Sequence, residues 1–180
     1  MVDHLAVAKC TPPVAESEGA DFAQLYQQHI AAVFNYCLYR VGDVAVAEDL
    51  TADVFERAWS ARHRYNSGRA SFSTWLFTIA RRKVVDWQRS QGRRHTVALD
   101  ERVPNPLPGP DMLAQEAEEQ SHLQRLVCSL PRDAQDLLAM KYGAGMTNRQ
   151  IAEILHKSET AVGSTLHRLM RKLRLLWEEF

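Results

Sequence analysis

Apolar residues recur every three or four positions along most of this chain, the spacing that places them on one side of an α-helix. From Asp21 onward, Phe22, Tyr26, Ile30, Val33, Cys37 and Val41 fall on one face, and Gly42 closes the run. Asp43 stands where a carboxylate caps the next helix. In AVAEDLTADVFERAW, Ala47, Leu50, Val54 and Ala58 share one face with Phe55 beside them. Asp49, Asp53 and Glu56 share the opposite face, around Ala52. A third helix is predicted from about Thr74, with Ser73 as its N-cap, to just before Gly92. Leu76, Ala80, Val84 and Trp87 form its apolar side, and Thr78, Arg81, Arg82 and Arg89 point the other way. Asp86 lies one turn from both Arg82 and Arg89 and can orient either.

The pattern breaks in two places. Residues 1–20 carry no periodicity and include Pro12, Pro13 and Gly19, so they read as a disordered tail. The segment VPNPLPGP at 103–110 can neither continue a helix nor enter a sheet interior. Beyond it, acidic residues 111–122 begin another helix, and Leu130-Pro131 marks the start of one that ends at Gly143. Thr147 caps a short helix whose Ile151, Ala152 and Leu155 face inward, and His156-Lys157-Ser158 forms a turn. The next helix buries Val162, Leu166, Leu169 and Leu173 and turns Ser164, His167, Arg168 and Arg171 outward. Two short helices across a tight turn, the second bearing cations and hydroxyls, make a helix-turn-helix pattern.

No segment alternates with the period of a strand. The expectation is an all-α protein of two small helical domains joined by a flexible linker, the C-terminal one a helix-turn-helix. The tail covers 1–20, the first domain 21–94, an acidic proline-rich linker and helix start 95–122, and the second domain 123–180. No large domain is expected after the helix-turn-helix.

Net charge is zero over 180 residues, yet the charges are segregated. Between Arg62 and Arg94 nine Arg and Lys side chains face one acid, Asp86. Residues 95–122 reverse this with six acids against Arg102. No apolar run reaches the roughly 18 residues of a membrane span, and the N-terminus lacks the pattern of a signal peptide. Membrane insertion is not expected, and the cytoplasm is the expected compartment. Cys10, Cys37 and Cys128 are far apart and form no metal-binding spacing, so they read as idle thiols. No metal, cofactor or catalytic set stands out, and an enzyme is not expected.

The basic block is interleaved with Tyr65, Phe72, Trp75, Phe77 and Trp87 and contains the flexible Asn66-Ser67-Gly68. Cations neutralise phosphates and flat rings stack on unstacked bases, so the block suits single-stranded nucleic acid. Trp87 and Phe77 fit the core, and Trp75, at the edge of the basic face, fits base contact. A solvated charged face reads equally well from the pattern alone. The second helix of the helix-turn-helix fits a major groove, where Ser, Thr, Arg and His reach base edges. An ordinary helical hairpin is the alternative. The stripe of Asp49, Asp53 and Glu56 by itself reads as a solvent face.

Three segments in order carry a resemblance. YCLYRVGDVAVAEDLTADVFERAW, then FSTWLFTIARRKVVDWQRS, then an SLP helix start and a helix-turn-helix ending in LHRLMRKLR resemble a bacterial sigma factor of the extracytoplasmic-function (ECF) group. The resemblance covers roughly residues 21–176. It implies a dissociable initiation subunit of RNA polymerase, with core polymerase (the beta-prime clamp and the beta subunit) and promoter DNA as partners. Such factors are often held by an anti-sigma protein.

By the resemblance, Asp49, Ala52, Asp53, Glu56 and Arg57 would meet the clamp, with Ala52 standing where family members often have Gln. Arg64, Asn66, Arg69, Trp75, Arg81, Arg82 and Arg89 would open and hold the minus-ten element, the Arg64–Ser73 loop taking a flipped base. Lys157, Ser158, Thr160, Ser164, Thr165, His167, Arg168 and Arg171 would read or hold the minus-thirty-five duplex. Gly163-Ser164-Thr165 replaces a Lys-Ser-Arg triplet usual in the family, so two cations are missing. His156 stands where Gly is common. The acidic linker would thread toward the active centre and the RNA exit path. Two other readings account for fewer features. A duplex-binding regulator that is not a polymerase subunit uses only the helix-turn-helix, and a protein-binding helical adaptor uses no DNA at all.

Overall fold

The computed structural model describes residues 14–94 and 122–178, with side chains over 21–91 and 122–178. All regular structure among them is helical. Helix α1 spans Val14–Val41, α2 Val44–Ala61 and α3 Phe72–Arg94, with a 3₁₀ turn at Arg62–Arg64. Residues 122–129 form α4, and α5 runs over Arg132–Leu138 into a π turn at Ala139–Gly143. Helices α6, Asn148–Leu155, and α7, Glu159–Glu178, follow.

Local chemistry sets most of these boundaries. Gly42 ends α1 with φ 74°, a conformation that suits a residue without Cβ. Asp43 then caps α2, its carboxylate accepting from the Val46 N–H at 2.9 Å. Thr147 and Gln150 form a reciprocal capping box at the start of α6.

Three boundaries depart from the sequence expectation. Helix α1 begins at Val14, inside the segment read as tail; Pro13 directly before it is compatible with a helix start. Residues 1–13 lie outside the described residues. Helix α3 is capped by Ser71, whose hydroxyl accepts from the Thr74 N–H at 3.2 Å, and not by Ser73. It also continues through Gly92 to Arg94, since its ladder outlasts the modest cost of one glycine. Of the linker and helix start read at 95–122, all but His122, the first residue of α4, lie outside the described residues.

Helices α1 to α3 pack around Val33, Cys37, Val54, Leu76, Ala80 and Val84, all fully buried. Helices α5 to α7 pack around Leu138, Met140, Ile151, Val162 and Leu166. The two lobes also touch. The π turn lies on α1, and α6 lies on α3. At the first contact, a β-carbon on Gly143 would stand 3.0 Å from the Tyr39 ring and 3.3 Å from the Asn35 carbonyl oxygen.

Candidate polymerase and nucleic-acid interfaces

Helix α2 divides its faces cleanly. Ala47, Leu50, Val54, Phe55 and Ala58 are buried, leaving Asp49, Ala52, Asp53, Glu56 and Arg57 all exposed on the other side. The fold needs little from this face. Among the described residues, only Asp53 is engaged there by a neighbouring helix, through Lys83 Nζ of α3 at 2.9 Å. Beside Ala52 a groove lined by Tyr26, Ile30, Phe34 and Phe55 separates α1 from α2.

The loop into α3 is built by its own polar groups. Asn66 Oδ1 accepts from the Gly68 N–H at 2.8 Å, and the Asn66 carbonyl accepts from Arg69 N–H at 3.0 Å. The turn thus occupies the Asn66 side-chain oxygen and leaves its amide donors to the solvent side. Arg64, Asn66 and Arg69 are exposed. Trp75 is half-buried, its ring 5.3 Å from Tyr65 and 5.5 Å from Phe72. Its outer edge therefore borders the basic loop, and its inner edge is core.

The cations of α3 do not form one open stripe. Arg82 is exposed. Arg89 is exposed and pairs with Asp86 at 3.7 Å, so Asp86 orients Arg89. Arg81 is turned toward the other lobe, with its Nε 2.6 Å from Asp136 Oδ2. Burial disfavours its charge, but the hydrogen bond and charge of Asp136 outweigh this and raise its pKa.

In the helix-turn-helix, His156 takes the left-handed conformation, φ 53° and ψ 44°, that joins α6 to the turn. Ser158 caps α7, accepting from the Ala161 N–H at 3.1 Å. Lys157, Ser158, Thr160, Ser164, His167, Arg168 and Arg171 are exposed. Thr165 is half-buried and donates to the Ala161 carbonyl at 2.7 Å, and the Ser164 hydroxyl donates to the same oxygen at 3.1 Å. The Thr165 oxygen also accepts from Arg168 Nη2 at 3.4 Å, whereas the exposed Ser164 oxygen retains acceptor capacity for a duplex.

Sequence reasoning missed a polar cluster between the lobes. The Tyr36 hydroxyl donates to Asp136 Oδ1 at 2.5 Å, and Arg40 Nε lies 3.4 Å from the same oxygen. Arg40 also donates to Gln135 Oε1 at 2.9 Å and to Gln88 Oε1 at 3.1 Å. Farther along, Thr74 donates to Glu153 Oε2 at 2.9 Å. Burial, then the neighbouring Asp136 carboxylate, pushes the Tyr36 phenol well above its usual range. A signal was available: Arg40 lies seven residues after Val33, in the buried stripe that also holds Tyr36 and Cys37. A cation in an apolar stripe calls for a buried acid.

Among the described residues no group of three or more His, Cys, Asp or Glu could hold a metal ion. No described helix is long and apolar enough to cross a membrane. Cys37 is buried, which raises its thiol to about 11, and Cys128 is exposed.

Comparison with known proteins matches residues 25–94 to Sigma-70 region 2 and residues 121–173 to Sigma-70 region 4. The ECF RNA polymerase sigma factor SigL of Mycobacterium tuberculosis is 29% identical over 92% of this chain and 93% of its own length. The ECF sigma factor RpoE of Cereibacter sphaeroides is 32% identical over 74% of this chain and 73% of its own. Among solved structures, sigma factor RpoE of Bartonella quintana, in complex with the anti-sigma factor NepR, aligns with TM-score 0.68. That alignment covers 88% of this chain and 97% of RpoE at 20% identity. CnrH, in complex with the cytosolic domain of CnrY, aligns with TM-score 0.68 over 92% of each chain at 21% identity. The two structures support the fold.

Proposed function

The chain belongs to the ECF family of RNA polymerase sigma factors, the initiation subunits that bind core polymerase and direct it to promoters, and from that premise we propose how its surfaces divide the work. The exposed face of α2, with Asp49, Ala52, Asp53, Glu56 and Arg57, docks on the beta-prime clamp. Arg64, Asn66, Arg69, the outer edge of Trp75, Arg82 and Arg89 take the minus-ten strand once polymerase is bound, and Arg81 joins them when it is released from Asp136. Helix α7, with Ser164, Thr165 and His167, reads the minus-thirty-five duplex. Lys157, Ser158, Thr160, Arg168 and Arg171 hold its phosphates.

The observation that carries this reading is the α2 face: five residues, all exposed, that the lobe's own core does not require. A duplex-binding regulator has no use for that surface. Phosphodiester chemistry belongs to the core enzyme. The working compartment is the cytoplasm, where polymerase is. An anti-sigma protein is part of the proposal, supported by the complexes in which two proteins of this fold were solved.

Run-off transcription of genomic fragments, by core polymerase with and without the purified chain, tests the proposal. Discrete transcripts that need both components are expected. Absence of such transcripts, together with no complex between the chain and core polymerase on gel filtration, would remove it.

A further inference from the structure

Two features of the helix-turn-helix meet at one point, and the fold accounts for neither. Asn148, the first residue of α6, holds its side-chain Oδ1 buried with no hydrogen-bond partner among the described residues. An unpaired buried amide oxygen costs stability, so such a group needs a reason other than folding. Gly163 lies inside α7, past its first turn, where glycine is a poor helix former. Space does not require it: among the described residues the nearest atom to a β-carbon there is Asn148 Nδ2, at the ordinary contact distance of 3.5 Å. Backbone conformation does not require it either, because its φ is not positive. Both features point at the same few ångströms between α6 and α7.

We propose that Asn148 is a contact residue for the minus-thirty-five duplex, its side-chain amide donating across Gly163 to an acceptor on the DNA. The inference rests on the assignment of α7 to that element. Gly163 lies three residues after Thr160 and four before His167, so it shares their side of α7. Both of those residues are exposed, and both are assigned to the duplex. A recognition helix presents its N-terminal half to base edges, while the helix before it crosses the backbone. With only hydrogen at position 163, α7 offers no side-chain group of its own there. The Asn148 amide stands over the gap. Its Oδ1 faces the protein, and its Nδ2, neither buried nor bonded, faces solvent. An amide nitrogen only donates, so its partner on the duplex is a phosphate oxygen or a base-edge acceptor such as N7 or O6 of guanine.

One contact explains the glycine and the unpaired oxygen together. A side chain extending from position 163 starts 3.5 Å from the amide nitrogen and competes for its approach to DNA. Local rules broken together at one place, with no gain to packing, mark a site kept for binding. Asn148 is neutral, so its contact adds affinity without releasing a counterion. The salt dependence of binding stays with Lys157, Arg168 and Arg171.

The test uses the full chain assembled with core polymerase, and its probes are the genomic fragments that yield transcripts. Affinity is measured by competition among these fragments, intact and with each base pair of the minus-thirty-five element replaced in turn. Asn148→Ala is expected to weaken binding about tenfold, with an unchanged salt slope. Its thermal midpoint should stand at or above wild type, because the unpaired oxygen is gone. Gly163→Leu, which covers the amide and adds a better helix former, should lose about as much affinity. The double variant should lose no more than either single change. A loss that vanishes at one replaced base pair names a base acceptor. A loss uniform over all fragments, and removed by one methylphosphonate linkage, names a phosphate oxygen; both results support the contact. Equal affinities for wild type and Asn148→Ala, additive losses in the double variant, or a loss that tracks a lowered midpoint would overturn it. Arg168→Ala separates the two levels. If it weakens binding and Asn148→Ala does not, the contact fails and the reading of α7 stands. If neither weakens binding, or no fragment is transcribed, the reading of α7 fails and the contact with it.

Discussion

His156 is the described non-glycine residue with positive φ. A side chain with a Cβ is disfavoured in that conformation, and glycine is not. His156→Gly should therefore raise stability by about 0.5–1 kcal/mol, read as a few degrees in the thermal midpoint. His29 acts on stability through its charge. Burial against Phe72, 5.5 Å from its ring, lowers its pKa below the ordinary 6.5. The unfolded chain then takes up the proton first, so stability is full above the ordinary value and declines as pH falls below it. Denaturant titrations at pH 7.5 and 5.5 should show that decline, and His29→Gln should reduce it. A direct titration of the imidazole that found a midpoint at or above 6.5 would contradict the cause. Capping residues such as Asp43, Gly42 and Thr147 were legible in the sequence because each acts on neighbours three or four positions away. Asp136 was not. Its partner Tyr36 is 100 residues distant, and no local pattern records such a pairing.

At the scale of the helix, α2 and α3 make separable contributions. Asp53→Arg reverses one charge in the exposed stripe and releases Lys83. The lost surface pair should cost stability no more than about 0.5 kcal/mol. Affinity for core polymerase should fall roughly tenfold, equivalent to about 1.4 kcal/mol, as measured by competition binding. Trp75→Ala should leave core binding near the wild-type value and reduce open-complex yield, read by permanganate reactivity of the melted strand. Trp75→Phe preserves packing against Tyr65 and Phe72 and separates lost stacking from lost stability. Equal yields for wild type and Trp75→Ala would take the ring out of the strand-binding surface. The elements themselves were readable from periodicity, since each helix pairs one apolar stripe with one polar face. Arg81 shows where that reading stops. Its position on the polar face of α3 is as expected, but a second lobe covers that part of the face.

For the whole molecule, an all-α chain in two lobes was evident from the helix pattern and the proline-rich break. That the lobes close on one another was not, because closure depends on shape and on charges brought together from α1, α3 and α5. Three of the buried polar side chains bond across the contact between the lobes: Arg40, Thr74 and Asp136, each less than 9% exposed.

Gly143 makes the contact between the lobes sensitive to a single atom. Every amino-acid change at a glycine adds a β-carbon, and at this position that atom meets Tyr39 and the backbone of Asn35. A side chain at 143 therefore makes the Tyr39 ring or the turn shift by a few tenths of an ångström, and a larger one demands more. Gly143→Leu should therefore lower the thermal midpoint of the chain more than Gly143→Ala does, as read by thermal denaturation of the purified proteins. Equal midpoints for wild type and Gly143→Leu would show that the contact yields freely.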